Sequence, residues 1–178
     1  MATINPPHQV LFHEEQQFRQ NWLWLLVFLC FLEIIIFGYL MVKQLILGQP
    51  VGNQPMPNTE LIISGPLMIL IGLGIPYLFY ILKLISEVHD DGILIRFYPF
   101  LRRKILFSEI KHYEARTYRP IIEYGGWGIR WSWKGTAYNV SGTRGVQLEL
   151  TSGKRILIGS QKPEEFVRAI QRVMQKSI

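Results

Sequence analysis

Residues 22–47 read WLWLLVFLCFLEIIIFGYLMVKQLIL, and residues 61–82 read LIISGPLMILIGLGIPYLFYIL. The first block is 26 mostly apolar positions interrupted by Glu33, Lys43 and Gln44, and the second is 22 positions without a charge. An apolar helix of roughly 20 residues spans the hydrocarbon of a bilayer, so both blocks are expected to cross a membrane. The first block does not have the form of a cleaved signal peptide. It is too long, Glu14 and Glu15 outweigh Arg19 upstream, and no small-residue cleavage site follows it.

The flanking charges predict the orientation. Arg19 precedes the first block, and Lys83, Arg96, Arg102, Arg103 and Lys104 follow the second, whereas the Pro-rich connection 48–60 has no Lys or Arg. Basic residues stay on the cytoplasmic side, which puts both termini in the cytoplasm and the connection outside. The expected organisation is a cytoplasmic segment 1–20, a two-helix transmembrane hairpin 21–86 (helices near 22–47 and 61–85, external loop 48–60) and a cytoplasmic domain 87–178. The chain carries a formal charge of +6. From Glu87 onward there are 16 Lys/Arg against 9 Asp/Glu, so the basic surplus belongs to that domain. The single cysteine, Cys30, excludes an intrachain disulfide.

Glu33 is the one ionisable group deep in the first block, and such a residue is a functional candidate by default. A hairpin centred near Asn53 sets Glu33 opposite Gly72–Pro76. Pro76 lacks an N–H and frees the Gly72 carbonyl. The structural expectation is that protonated Glu33 donates to that carbonyl across a glycine-lined contact; the functional alternative is proton or ion handling in a transporter or enzyme component. Ahead of the hairpin, Gln9 to Asn21 reads as a short helix or extension, with Glu15 and Arg19 four apart in the favourable acid-first order. His8, His13 and Glu14 have the wrong spacing for a metal set.

After Lys83 the pattern becomes alternating. Asp91-Gly92 is a turn signal, followed by Ile93, Ile95 and Phe97 alternating with Leu94, Arg96 and Tyr98. Further strands are expected at Arg103–Phe107, Ile110–Tyr118, Gly128–Lys134, around Val146–Leu150, and at Lys154–Ile158. Pro163 with Glu164 and Glu165 starts a helix whose apolar face is Phe166, Ile170, Val173 and Met174 and whose basic stripe is Arg168, Arg172 and Lys176. The fold class is therefore α+β: a transmembrane helical hairpin, then an antiparallel sheet or partial barrel capped by a C-terminal helix.

That arrangement resembles a bacterial pleckstrin-homology-like domain. Residues 124–130 (YGGWGIR), 137–142 (AYNVSG) and 158–161 (IGSQ) before Pro163-Glu164-Glu165 are similar to a family of small uncharacterised prokaryotic membrane proteins with two N-terminal spans. The resemblance implies the fold and carries no activity.

Tyr124, Gly125, Gly126 and Gly128 lack the Gly-Lys-Ser/Thr ending of a phosphate loop and the strand–turn–helix setting of a dinucleotide site, so they are expected to form a structural turn; the alternative is an exposed loop whose tip, Trp127, docks a partner or the membrane surface. Trp131 and Trp133 share one face of a strand and are expected in the core, an interfacial surface being the alternative. Arg102, Arg103 and Lys104 are expected at a hairpin tip with Arg116, Arg119 and Arg130 nearby. Two readings stand for them: attraction to anionic lipid, or a solvated loop obeying the positive-inside bias. His112 with Glu109 and Glu114 reads as an ordinary salt contact. No catalytic constellation, cofactor site, metal site or nucleic-acid module is legible. The functional expectation is a non-enzymatic interaction or scaffold module in the inner or thylakoid membrane, binding a protein partner and anionic lipid. The alternative is a subunit or assembly factor of a larger membrane complex, similar in outline to a photosystem I assembly factor.

Overall fold

The computed structural model describes residues 10–176; His8 and the beginning of its segment lie outside the described residues. The chain divides into a helical unit, Arg19–Ile81, and a second unit formed by residues up to Phe18 together with those from Leu82 onward.

In the helical unit, α1 (Trp22–Met41) runs on into a π-helical turn, Val42–Ile46, and α2 spans Asn58–Ile81. Both helices are long and apolar enough to cross a membrane. Their contacts follow an antiparallel register. Trp22 meets Phe79 edge-on, 6.0 Å between centroids; Cys30 and Ile34 face Gly72, and Met41 faces Gly65. Gly65 and Gly72 sit two turns apart on one face, where the missing side chains let the backbones approach closely. Outside that seam large apolar side chains are exposed, among them Trp24 and Ile63.

The expected hydrogen bond from Glu33 to the Gly72 carbonyl is not formed. At Gly72 the facing groups are the Ile34 side chain and the Cys30 carbonyl, and Glu33 makes no hydrogen bond there among the described residues. Its Oε1 is buried and has no hydrogen-bond partner. Pro76 does stand inside α2.

The second unit contains two sheets. The first is antiparallel, in the order β1 (Phe12–Gln17), β2 (Lys83–Val88), β3 (Gly92–Tyr98), β4 (Leu101–Leu106). The second has the order β5-β8-β9-β7-β6, built from β5 (Ile110–Thr117), β6 (Gly128–Ser132), β7 (Gly135–Asn139), β8 (Arg144–Leu150) and β9 (Arg155–Gly159). Its pairs are antiparallel except β7 with β9, which is parallel. A short helix α3 (Pro120–Tyr124) precedes β6, and α4 (Pro163–Lys176) ends the described chain. The α+β class holds.

One boundary differs from expectation: residues 83–85, expected in the second membrane helix, open β2. Of the two forms expected ahead of the hairpin, helix or extension, the chain takes the extended one, as strand β1. β1 pairs with β2 from Phe12↔Val88 to Gln17↔Lys83. Its inward positions are Phe12, Glu14 and Gln16, all buried. Two of these three are polar, and this hides the period-two pattern. The helical Glu15–Arg19 pair is replaced by a cross-strand one, Lys83 Nζ to Glu15 at 2.8 Å.

The core lies between the inward faces of the strands and α4. Leu84, Val88, Ile93, Ile95, Ile105, Val146, Leu148, Ile156 and Ile158 are essentially inaccessible, as are Phe166 and Ile170 of α4. Burying each such side chain contributes about 1.5–3 kcal/mol. α4 packs on β5, β8, β1 and β2, and Phe166 stacks on Phe12 with centroids 4.6 Å apart. The β6–β7 end of the second sheet lies outside that cover.

Candidate functional site

β6 is an edge strand paired only with β7, from Gly128↔Asn139 to Ser132↔Gly135. The strand ends at Ser132, so Trp133 and Lys134 form the hairpin turn instead of continuing the strand. The Lys134 N–H donates to Ser132 Oγ at 3.1 Å. Gly135 takes a φ of +116° and passes so close to β9 that a Cβ would stand 2.2 Å from the Arg155 carbonyl oxygen. Only glycine fits both demands.

This hairpin corrects the core expectation for its two tryptophans. Trp131 is 76% and Trp133 86% exposed, because α4 does not cover this part of the sheet. The two indoles line an open cleft of about 640 Å³ whose charged lining residues are Arg103, Lys134, Lys154 and Arg155, with no acid. Lys134 Nζ stands 5.0 Å over the Trp133 ring. Arg103 donates to the Tyr138 hydroxyl at 3.0 Å. A smaller cleft of about 310 Å³ shares Trp133, Lys134 and Arg155 and adds His112, Glu114 and Glu149.

Beneath the hairpin lies an ion network on Glu123. Its carboxylate accepts from Arg116 at 3.0 Å, from Lys134 at 3.2 Å and from the Arg119 backbone N–H at 2.8 Å. Burial pushes the Glu123 carboxyl up, but the Arg119 amide and the two cations outweigh it and hold it below the usual carboxylate range. Arg116 also donates to Gln147 at 3.1 Å and Tyr124 at 3.3 Å. Burial lowers the tendency of its guanidinium to hold its proton, and Glu123 more than restores it. Burial also pushes the Tyr118 phenol up to about 12, with Asn139 donating to its oxygen at 3.1 Å.

The basic residues expected to cluster do not form one patch. Arg102, Arg103 and Lys104 lie within β4, not at its tip, and strand alternation sends Arg103 to the cleft and the other two to the opposite face. There Arg102 pairs across the ladder with Arg96, and Lys104 reaches Asp91 at 2.5 Å. Arg116 is committed to Glu123. Arg119 caps α3. Arg130 is exposed and donates to the Trp127 carbonyl at 2.9 Å. Trp127 is half-buried, its Nε1 donating to the Gly142 carbonyl at 3.1 Å, so it is not an exposed loop tip. Tyr124 is buried at the end of α3, and Gly125, Gly126 and Gly128 take φ of +74°, +125° and +113°. His112 Nε2 lies 3.9 Å from Glu114, while Glu109 accepts from the Leu106 N–H instead.

Two groupings escape the sequence reading, the cleft residues from β4, β6, β7 and β9, and a cluster on Glu87. Glu87 accepts from Arg96 at 2.7 Å and lies 3.1 and 3.2 Å from His13 and His89. Burial raises its carboxyl, and the hydrogen bonds of His89 and His13 with the Arg96 charge bring it below its ordinary value. The cleft draws on strands distant in sequence, and the Glu87 cluster joins the local β2–β3 hairpin to His13 of β1, 74 residues away; spacing gives no signal for such long-range contacts. Among the described residues no three His, Cys, Asp or Glu could hold a metal ion.

A family model described as a family of unknown function (DUF6141) matches residues 4–176. No curated protein and no solved structure matches the chain.

Proposed function

The chain belongs to that family of unknown function, and from its own geometry we propose that it is a membrane-anchored, non-enzymatic interaction module whose basic domain works at the cytoplasmic face of the bilayer. The observation that carries the reading is topological. β1 leads into α1, α2 leads into β2, and β1 and β2 are paired neighbours. The apolar hairpin is thus an insertion between two adjacent strands, and two crossings return the chain to the side from which it left. The basic flanks, Arg19 and Lys83 onward, against a Lys- and Arg-free connection favour the cytoplasmic side for the domain.

Two sheets closed by the amphipathic α4 support the pleckstrin-homology-like description of that domain. The parallel β7–β9 pair and the strand contributed from ahead of α1 are additions to it. The exposed hairpin with its acid-free cleft is the surface on which the module would meet its target, a protein partner or anionic lipid. The test is extraction and proteolysis. Alkaline carbonate should leave the chain in the membrane pellet. Protease should cut the region beyond Lys83 in inside-out vesicles and spare it in right-side-out ones. Release by carbonate, or the reverse protease pattern, would overturn the reading.

A further inference from the structure

Two tryptophans exposed at the end of a hairpin need an explanation, since indoles held in water add little to the stability of a folded domain. Their neighbours narrow the choice. The larger cleft that both line holds Arg103, Lys134, Lys154 and Arg155 and no acid, while Glu114 and Glu149 belong to the smaller cleft that shares Trp133. Lys154 and Arg155 form no ion pair among the described residues, Arg103 is bonded to a neutral phenol, and Lys134 is shared with Glu123. We infer that the β6–β7 hairpin is an interfacial docking surface for anionic lipid headgroups, with Trp131 and Trp133 entering the headgroup layer and Arg103, Lys134, Lys154 and Arg155 meeting the lipid phosphates. This inference rests on the anchored-module reading and names the ligand of that module.

Three considerations favour lipid over other occupants. An indole combines an apolar body with one N–H donor, which suits the membrane–water boundary where tryptophan is enriched. Cations near an anionic leaflet are attracted by the surface potential. α1 and α2 tether the domain to the bilayer by chain continuity, and at the resulting effective concentration weak individual attractions suffice. A second copy of this chain is a poor occupant, because a two-fold contact would set the same four cations against each other. Apart from the two indoles and Ile156, the cleft is lined by cations, hydroxyls and glycines, which gives an apolar protein anchor little to fill.

The test uses the full chain in nanodiscs of phosphatidylcholine alone and of phosphatidylcholine enriched in phosphatidylglycerol, read by amide hydrogen exchange. Residues 128–136 should exchange several-fold more slowly in the anionic discs, and molar salt should reverse the protection by screening. Lys154→Glu with Arg155→Glu should abolish it. Trp131→Ala with Trp133→Ala should weaken it while leaving exchange in β2 and β3 unchanged. Equal exchange in both discs, with the chain still inserted, overturns the docking and leaves the anchor standing. Loss of the chain from the discs fails the anchor itself. Protection that appears only at higher chain-to-disc ratio, or only after a soluble protein is added, assigns the surface to a second copy or a protein and also overturns the inference.

Discussion

The Ser160 hydroxyl donates to the Glu14 carboxylate at 2.5 Å, joining residues on either side of the apolar hairpin inside one core. The other Glu14 oxygen accepts from the Gln161 N–H at 2.7 Å, and Gln16 donates to the Gly159 carbonyl at 2.8 Å. β1 is therefore fastened to the approach to α4 as well as to β2. Glu14→Ala would leave the buried Ser160 hydroxyl and the partly exposed Gln161 N–H without their acceptor, at a cost of about 1–3 kcal/mol. The expected result is a thermal midpoint lowered by several degrees in detergent, with faster amide exchange at the start of α4. An unchanged midpoint would show that β1 is dispensable.

Glu123 gives the domain an acid limit. Its carboxyl titrates below the 4.5 of the free side chain, burial being outweighed by the Arg119 amide, Arg116 and Lys134. A depressed carboxylate favours the folded state fully above the unfolded-state value and loses that contribution as pH falls through the folded one. Glu87 titrates low in the same sense. Glu123→Gln should therefore cost about 1–3 kcal/mol at neutral pH and converge with the parent chain as pH falls below the carboxylate range. Urea midpoints measured across that range check this; a pH-independent difference contradicts it.

The apolar hairpin, the turn at Asp91-Gly92 and the face of α4 are legible in the sequence because each is written in consecutive residues. Phe166, Ile170 and Val173 repeat at helical spacing and are buried where that spacing puts them. β1 is not legible, since Glu14 and Gln16 occupy inward positions and their partners come from the far end of the chain. The cleft is not legible either. Arg103 stands in sequence between Arg102 and Lys104 as if in one cluster, but alternation along β4 separates them, and its true neighbours, Lys154 and Arg155, come from β9 and the turn before it. Charge runs report composition locally; which face a charge occupies depends on strand phase.

Gly65 and Gly72 predict unequal responses in the helical unit. A Cβ at Gly65 would meet the Met41 side chain, 2.5 Å from its sulfur, whereas at Gly72 it would meet Ile34 Cγ1 at 2.8 Å and the Cys30 backbone oxygen at 3.2 Å. The Met41 thioether can swing away, but a β-branched side chain and a helical backbone cannot. Gly65→Ala should be nearly neutral, and Gly72→Ala should force α1 and α2 apart. Unfolding in mixed micelles of rising sodium dodecyl sulfate, followed by far-ultraviolet circular dichroism, should show an early transition for Gly72→Ala only. Equal transitions would mean that the seam does not govern the pair.

Trp131 and Trp133 separate a packing role from a surface role by stability alone. Truncating a core tryptophan to alanine costs about 3–5 kcal/mol, because it removes contacts and opens a cavity. At 76% and 86% exposure neither indole has a cavity to open, and surface substitutions usually stay within about 0.5 kcal/mol. Trp133 also holds Lys134 against its ring, an exposed cation–π contact of about 0.5–1 kcal/mol. The single variants Trp131→Ala and Trp133→Ala should thus shift the urea midpoint of the solubilised chain little, with Trp133→Ala the larger of the two. A loss of several kcal/mol at either position would return that indole to the core and remove it from any docking surface.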